Sequence, residues 1–275
     1  MNKRFVIIIV TLVTVLILVL FGGIVFYIVQ NTEKNDENII EQVPRYSIPV
    51  EEFNRLFNNT TNYQNNNLSY VNKLDTTKEI VYTNNSTNNK VSGKYDINIK
   101  IPAFNINNKT ASKINQEIVD IFESKAKDII RNAGSSTVEI VYTVDYCAYV
   151  NDNILSLAIK STLKENDSAQ RIIVKTYTYN LAANELITLN GILGIKNIDS
   201  NNVQKIINQE IELKNNETEE LENAGYSVYK RDTKSKIYNI ANSNCYLLGE
   251  NNKIYVIYPY GNTSFTSEID IILIN

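Results

Sequence analysis

Val138-Glu139-Ile140-Val141-Tyr142-Thr143-Val144-Asp145-Tyr146-Cys147-Ala148-Tyr149-Val150 decides the fold. Side chains alternate between the two faces of a strand. Val138, Ile140, Tyr142, Val144, Tyr146, Ala148 and Val150 therefore share one apolar face. Glu139, Val141, Thr143, Asp145, Cys147 and Tyr149 share the other. Asn151-Asp152-Asn153 reads as a turn, and Leu155, Leu157, Ile159 and Leu163 mark a returning strand. The polar loop Glu165–Gln170 leads into a third strand, Arg171–Asn180, and Ala183-Asn184 turns into a fourth at Leu186–Leu189. The pattern predicts an antiparallel meander of four strands.

An apolar sheet face needs a cover, and the segment upstream supplies one. Ile114, Ile118, Ile121, Phe122, Ala126, Ile129 and Ile130 recur at steps of three and four, which predicts a helix from about Lys109 to Ala133. Asn108 or Thr110 can cap its start, and Gly134 stands where a left-handed terminator belongs. Further upstream, Tyr95, Ile97, Ile99 and Ile101 alternate with polar residues up to Pro102. They pair back on a strand at Lys78–Thr83 through turn residues Asn84–Asn89. Val50, Phe53, Leu56 and Phe57 give a short helical face behind Pro49.

Downstream, a second helix begins at Asp199 or Ser200, with Val203, Ile206, Ile207 and Ile211 on one side. The acids Glu210, Glu212, Glu217, Glu219, Glu220 and Glu222 read as its solvated face. A short helix at Ser235–Ala241 and strands at Cys245–Leu248, Lys253–Tyr258 and Ile269–Ile274 complete the chain. Helix followed by antiparallel strands thus occurs twice. The fold class is α+β, antiparallel sheets with helices packed on their faces.

Phe5–Val29 holds 25 residues without a charged side chain. At ~1.5 Å per residue, that is helix enough to cross a hydrocarbon core of about 30 Å. The run is longer than a secretory h-region and ends without a small-residue cleavage pattern. Lys3 and Arg4 precede it, so the N-terminus belongs in the cytoplasm. The expected organisation is a cytoplasmic stub (1–4), a transmembrane anchor in membrane lipid (5–29), a linker (30–45), and two α+β subdomains (46–150 and 151–275). The expected location is a bacterial cell membrane, crossed once, with the body outside.

Composition narrows the chemistry. Setting aside Lys3 and Arg4, the outer chain has five more acidic than basic residues, so a nucleic-acid partner is not expected. There is no His. That removes Ser-His-Asp and Cys-His catalysis and His-ligated zinc from this chain's repertoire. No cofactor, no metal site and no catalytic residue is expected. Cys147 and Cys245 can form a disulfide in an oxidising exterior if their strands meet, or stay as buried thiols.

Several short stretches resemble a known pair of bacterial domains. Lys94-Tyr95-Asp96-Ile97-Asn98-Ile99-Lys100-Ile101-Pro102 and Ala111-Ser112-Lys113-Ile114-Asn115 are similar to the first domain. Ile154-Leu155-Ser156-Leu157, Tyr177-Thr178-Tyr179-Asn180-Leu181, Glu185-Leu186-Ile187-Thr188-Leu189 and Tyr258-Pro259-Tyr260-Gly261 are similar to the second. This pair forms the ectodomain of RsiV-type membrane anti-sigma factors, and a related module precedes the catalytic domain of PdaC-type peptidoglycan deacetylases. The resemblance spans about 46–275. Where that family carries a Gly-Gly-Ala-His-like loop, this chain has Glu165-Asn166-Asp167-Ser168-Ala169-Gln170. Met1–Arg4 is too short to be expected to hold a sigma factor, and no deacetylase activity is expected of this stretch of chain.

The expected function is a membrane-anchored, sensor-like binding module that recognises an envelope protein or a glycan without chemistry. Tyr177, Tyr179, Tyr258 and Tyr260 are the candidate ligand-binding residues, because exposed tyrosine rings stack on sugars and protein surfaces. The resemblance implies a lysozyme-like protein as partner, and peptidoglycan is the glycan in reach. One alternative is a wall-glycan hydrolase using Asp145 with Asp152 or Asp167, since two carboxylates suffice for that reaction. Another is a structural partner of a second membrane protein.

Overall fold

The computed structural model describes residues 44–58, 61–62, 68–135, 137–260 and 268–275. The expected anchor and nearly all of the linker lie outside the described residues. Among those described, no helix is long and apolar enough to cross a membrane. Tyr46–Asn275 forms one compact unit.

In chain order the elements are α1 (Val50–Arg55), β1 (Thr61–Asn62), β2 (Val81–Val91) and β3 (Tyr95–Phe104). Then come α2 (Lys109–Ile118), a π-helical turn (Val119–Glu123), α3 (Ser124–Asn132), β4 (Ile140–Asn151), β5 (Ile154–Glu165), β6 (Arg171–Asn180) and β7 (Glu185–Leu186). The last are α4 (Leu189–Ile195), α5 (Ser200–Asn223), β8 (Tyr246–Leu248), β9 (Ile254–Pro259) and β10 (Ile269–Ile274). They build an α+β fold of two sheets. The large sheet runs β2-β3-β4-β5-β6-β7, with β1 added beside β4. The small sheet runs β10-β9-β8.

The meander is present. β4 and β5 pair antiparallel from Ile140↔Glu165 to Asn151↔Ile154, and β5 pairs antiparallel with β6. The expected 150/151 boundary falls at the tip of the β4–β5 hairpin. Asp152 and Asn184 adopt left-handed backbone in the turns that the sequence marked.

Both faces of the large sheet are used. Tyr142, Val144, Tyr146, Ala148 and Val150 join Ile97, Ile99 and Ile101 under the helices α2 and α3. Cys147, Tyr149, Ala158 and Val174 point the other way, onto Leu247, Tyr255, Ile257 and Ile271 of the small sheet, with Phe53 of α1 sealing the side. The far face of the small sheet is covered by α4 and α5 through Leu189, Ile192, Val203, Ile207 and Ile211. The layers are therefore helix, large sheet, small sheet, helix. Two apolar sheet faces and two helix stripes are buried in one body.

Several sequence expectations need correction. Asn84–Asn89 is not a turn but the middle of β2, in register with β3 from Asn85↔Ile101 to Asn89↔Ile97. The turn lies further on, at Ser92-Gly93, where Gly93 has φ +69°. Pro102 does not end its strand. It sits inside β3 opposite Thr83, next to the register shift between Thr83 and Asn85, where a missing N–H is tolerated. The sheet is not wholly antiparallel, because β3 and β4 are parallel from Tyr95↔Ile140 to Ile99↔Val144. The helices between them make the crossover that a parallel pair requires. Leu189 starts the unanticipated helix α4, capped by Thr188 accepting from Gly191 N at 3.1 Å.

The long helix is capped by Asn108, whose side chain accepts from Ala111 N. Ile114, Ile118, Phe122, Ala126 and Ile129 are buried, but Ile121 and Ile130 are 36% and 37% exposed. In an α-helix, steps of four drift around the axis. The π-helical turn takes up more residues per turn, so it keeps Ile118, Phe122 and Ala126 in line and rotates Ile121 off the core. Gly134 is not in the left-handed region, and Ser135 N closes the helix end on Asn132 O. Asp199 caps α5.

The segment Tyr46–Ile48 lies along β10. Ile48 N donates to Ile271 O and Leu273 N donates to Tyr46 O. Glu210, expected on a solvated face, is fully buried. Its carboxylate accepts from Tyr46 N at 2.7 Å and from the Ser47 hydroxyl. Tyr46 and Ser47 are thus clamped to α5 as well as to β10.

Candidate functional site

The four tyrosines are not surface residues. Tyr177, Tyr179, Tyr258 and Tyr260 are 4%, 0%, 5% and 6% exposed. Odd-numbered residues of β6 face the helices, so Tyr177 and Tyr179 pack edge-to-face on Phe104 at 6.5 and 5.9 Å. The Tyr179 hydroxyl accepts from Asn108 Nδ2 at 2.8 Å. Tyr258 and Tyr260 lie in the other core, where Tyr258 meets Tyr238 edge-on and Tyr260 shares a 2.8 Å hydroxyl contact with Tyr238. Burial pushes the Tyr258 phenol up to about 12. The strand pattern could not reveal this, because both faces of these strands are covered.

Cys147 and Cys245 are free and buried. Both belong to the core between the sheets. Cys147 pairs with Ala158 on β5, and Ala158 pairs with Thr176 on β6, so β5 separates Cys147 from β6. Cys245 lies against β6, with Sγ donating to Val174 O at 3.7 Å. Burial pushes the Cys245 thiol up to about 12 and raises Cys147 as well. Both are unreactive, small hydrophobes in this setting.

The nominated carboxylates do not converge. Asp145 and Asp152 are seven residues apart along β4 and its turn, about 23 Å at ~3.3 Å per residue. Paired glycosidase carboxylates stand about 5–9.5 Å apart. Asp167 lies past the end of β5, whose Glu165 already faces Ile140. Asp145 is 3.4 Å from Lys100 Nζ, and Asp152 is 3.1 Å from Lys196 Nζ. Among the described residues, no group of three or more Cys, Asp or Glu is placed to share a metal ion.

The polar side of β4 leads instead to an open face. On β4 the small sheet covers this side over Cys147 and Tyr149, and Asn151 donates to Leu248 O and Gly249 O at its edge. Beyond them, β2, β3, β4 and β5 present three rows of side chains that, among the described residues, no sheet or long helix covers. The first row is Ser86, Lys100, Asp145 and Lys160. The second is Asn88, Asn98, Thr143 and Thr162. The third is Lys90, Asp96, Val141 and Lys164. None of the twelve is buried. By ideal strand spacings, the grid measures about 14 by 14 Å.

Its chemistry is graded across the rows. The middle row carries no charge, only amides and hydroxyls, with Thr143 and Thr162 joined at 2.6 Å. Amides offer both donors and acceptors. The flanking rows hold four lysines against two aspartates. Lys90 pairs with Asp96 at 2.5 Å, and that hydrogen bond raises the lysine above its usual range. Lys160 turns toward α1, donating to Asn54 Oδ1 at 2.6 Å over the Phe57 ring. Burial works to lower it. The face is net positive on a body that is net negative.

A buried charge cluster escaped sequence reading altogether. Arg231 donates through Nε and Nη2 to the two oxygens of Asp270 at 2.6 and 2.9 Å, and through Nη1 to Thr218 Oγ1 at 2.9 Å. The Tyr260 hydroxyl donates to Asp270 Oδ2 at 3.1 Å, and Tyr229 stacks on Tyr260 with centroids 4.4 Å apart. Burial opposes the arginine's charge, but Asp270 outweighs it and holds Arg231 above its ordinary range. Every member is tied to another, which makes the cluster a fastener. No local pattern announces a pair 39 residues apart.

No family model and no curated protein matches the chain. Its structural neighbours are DUF3298 family proteins, a bacterial domain of unknown function. A family member from Pseudomonas aeruginosa PAO1 has 11% identity and a TM-score of 0.39, covering 66% of this chain and 82% of that one. A member from Bacteroides fragilis has 13% identity and a TM-score of 0.30, covering 66% and 80%.

Proposed function

We propose that this protein is a membrane-anchored, extracytoplasmic binding module that holds an anionic wall glycan, peptidoglycan in the first place, on the open face of its large sheet. The reading takes Phe5–Val29 as the anchor and the body as a wall-facing module like those of the RsiV and PdaC types. The observation that carries it is the three-row face. Its uncharged amide and hydroxyl row offers paired donors and acceptors to sugar hydroxyls. Its outer lysines offer point charges to carboxylates. A preformed strand surface also avoids the ordering cost of a mobile loop. No step of bond making or breaking is assigned to it.

Full-length protein in detergent, mixed with purified peptidoglycan, is expected to sediment with the wall. Removing two hydrogen-bonding side chains by Asn98→Ala with Thr143→Ala should cost about 1–2 kcal/mol, a five- to thirtyfold weaker association. Added salt should weaken binding through the lysines. Absence of sedimentation overturns the reading.

The acidic end of α5 favours a second reading, a cationic envelope protein such as a lysozyme. Glu217 and Glu222 pair with Lys214 and Lys230, while Glu219 and Glu220 stand on the same exposed stretch. Retention of lysozyme that is lost on Glu219→Lys with Glu220→Lys, and unmoved by the sheet-face changes, selects this reading.

A further inference from the structure

We infer that β2 is the edge through which two copies of this chain join their large sheets. β2 is eleven residues long and ends the strand order, with β3 on one side and no strand on the other among the described residues. An edge of that length presents a row of backbone donors and acceptors, which proteins ordinarily guard with charge, proline or a bulge. Asn84–Asn89 carries neither charge nor proline. The residues are also poor strand formers, so their place in a strand comes from pairing rather than propensity.

Two guards are present, and together they set the register. The shift between Thr83 and Asn85 breaks the edge at one end. Lys90 stands near the other. The regular edge is therefore Asn85–Val91, whose middle residue is Asn88. An antiparallel two-fold through Asn88 sets Asn85 opposite Val91, Ser86 opposite Lys90, and Thr87 opposite Asn89. No lysine meets a lysine, and like charges directly opposite are what such pairing must avoid. At the axis Asn88 meets its own copy, where one amide can donate to the other.

This two-fold stands normal to the sheet, so both open faces look the same way. The uncharged row then runs Thr162, Thr143, Asn98, Asn88 and, from the second copy, Asn88, Asn98, Thr143, Thr162. Eight strands at ~4.8 Å make a row of about 34 Å, suited to an extended polymer. Only the use of the lengthened row rests on the wall-glycan reading. The pairing rests on β2 alone.

The test is cysteine crosslinking of the full chain in native membranes under mild oxidation. Cys147 and Cys245 are buried and contribute no background. Asn88→Cys should give a disulfide-linked dimer in high yield, with Asn85→Cys and the exposed-loop variant Ser168→Cys at least fivefold lower. Asn88→Lys, which sets lysine against lysine across the axis, should lower the dimer fraction in light scattering of detergent-solubilised protein. Equal yields at Asn88, Asn85 and Ser168, or a monomer at all concentrations in unchanged protein, would overturn the proposal. Dimerisation without wall binding would keep this inference and refute the glycan reading.

Discussion

Asp270→Ala is expected to lower the unfolding free energy of the body by about 3–5 kcal/mol, the cost of leaving a buried charge without its partner. Arg231 is 8% exposed and donates twice to Asp270. It would keep Thr218, the Tyr229 carbonyl at 3.1 Å and the part-exposed Glu268 carboxylate at 3.6 Å, but that carboxylate is too far for a hydrogen bond and half in solvent, so it replaces little of the pair. The segment carrying Arg231 has no strand or helix of its own between α5 and the turn at Lys236, so this pair is what fastens it to β10. Urea unfolding of residues 46–275 reads the effect as a shift in midpoint. The double replacement Arg231→Met with Asp270→Leu separates the penalty of a stranded charge from the worth of the pair. It should lose far less than Asp270→Ala, because apolar residues of similar volume often replace a buried pair at little cost.

Phe104→Ala should cost about 3–5 kcal/mol by a different route, the loss of apolar burial plus the cavity left behind. Phe104 is wholly buried at the end of β3 and touches the rings of Tyr177 and Tyr179. Asn115 grips its backbone on both sides, accepting from Phe104 N at 2.7 Å and donating to Phe104 O at 2.9 Å. The backbone cannot collapse into the void while that clamp holds, so the cost should sit near the upper end. The same unfolding measurement checks it. A loss under about 1 kcal/mol would mean that β3 relaxes and that the helix-side core is more plastic than its packing implies.

How much of this fold was legible depends on where an element's stability comes from. Val138–Val150 announced itself because its alternation is its energetics: the even-numbered set packs under the helices, and the odd-numbered set divides between the second core and the open face. The Ile114–Ile118–Phe122–Ala126 stripe was legible for the same reason. Ile121 and Ile130 were misplaced because a uniform helix was assumed, and a π-helical turn re-phases the stripe. Asn84–Asn89 looked like a turn because six amide and hydroxyl residues have turn chemistry, yet the isoleucines of β3 impose the strand from across the ladder. Ser92-Gly93 was the available clue to the true turn. The parallel pairing of β3 with β4 was hidden, since a helix between two strands fits either an α+β or a crossover reading.

The site divides in the same way. The polar face of β4, with Thr143 and Asp145, was readable from alternation. Its width was not, because Asn88, Asn98 and Lys164 reach it through register with other strands. The tyrosines were misjudged because an aromatic ring packs equally well on a ligand or on another core ring, Phe104 for Tyr177 and Tyr179, Tyr238 for Tyr258 and Tyr229 for Tyr260. Pairing distance, which local sequence does not carry, separates those outcomes.

The central claim is that the open sheet face meets the wall, and lysine footprinting tests it most directly. Full-length protein is acetylated under limiting reagent, free and saturated with purified peptidoglycan, and each lysine's labelling is read by mass spectrometry. Lys90, Lys100 and Lys164 are predicted to lose most of their labelling on binding, while Lys113 and Lys127 on the opposite, helical side keep theirs. Protection of Lys113 and Lys127 with Lys90, Lys100 and Lys164 unchanged would contradict the account.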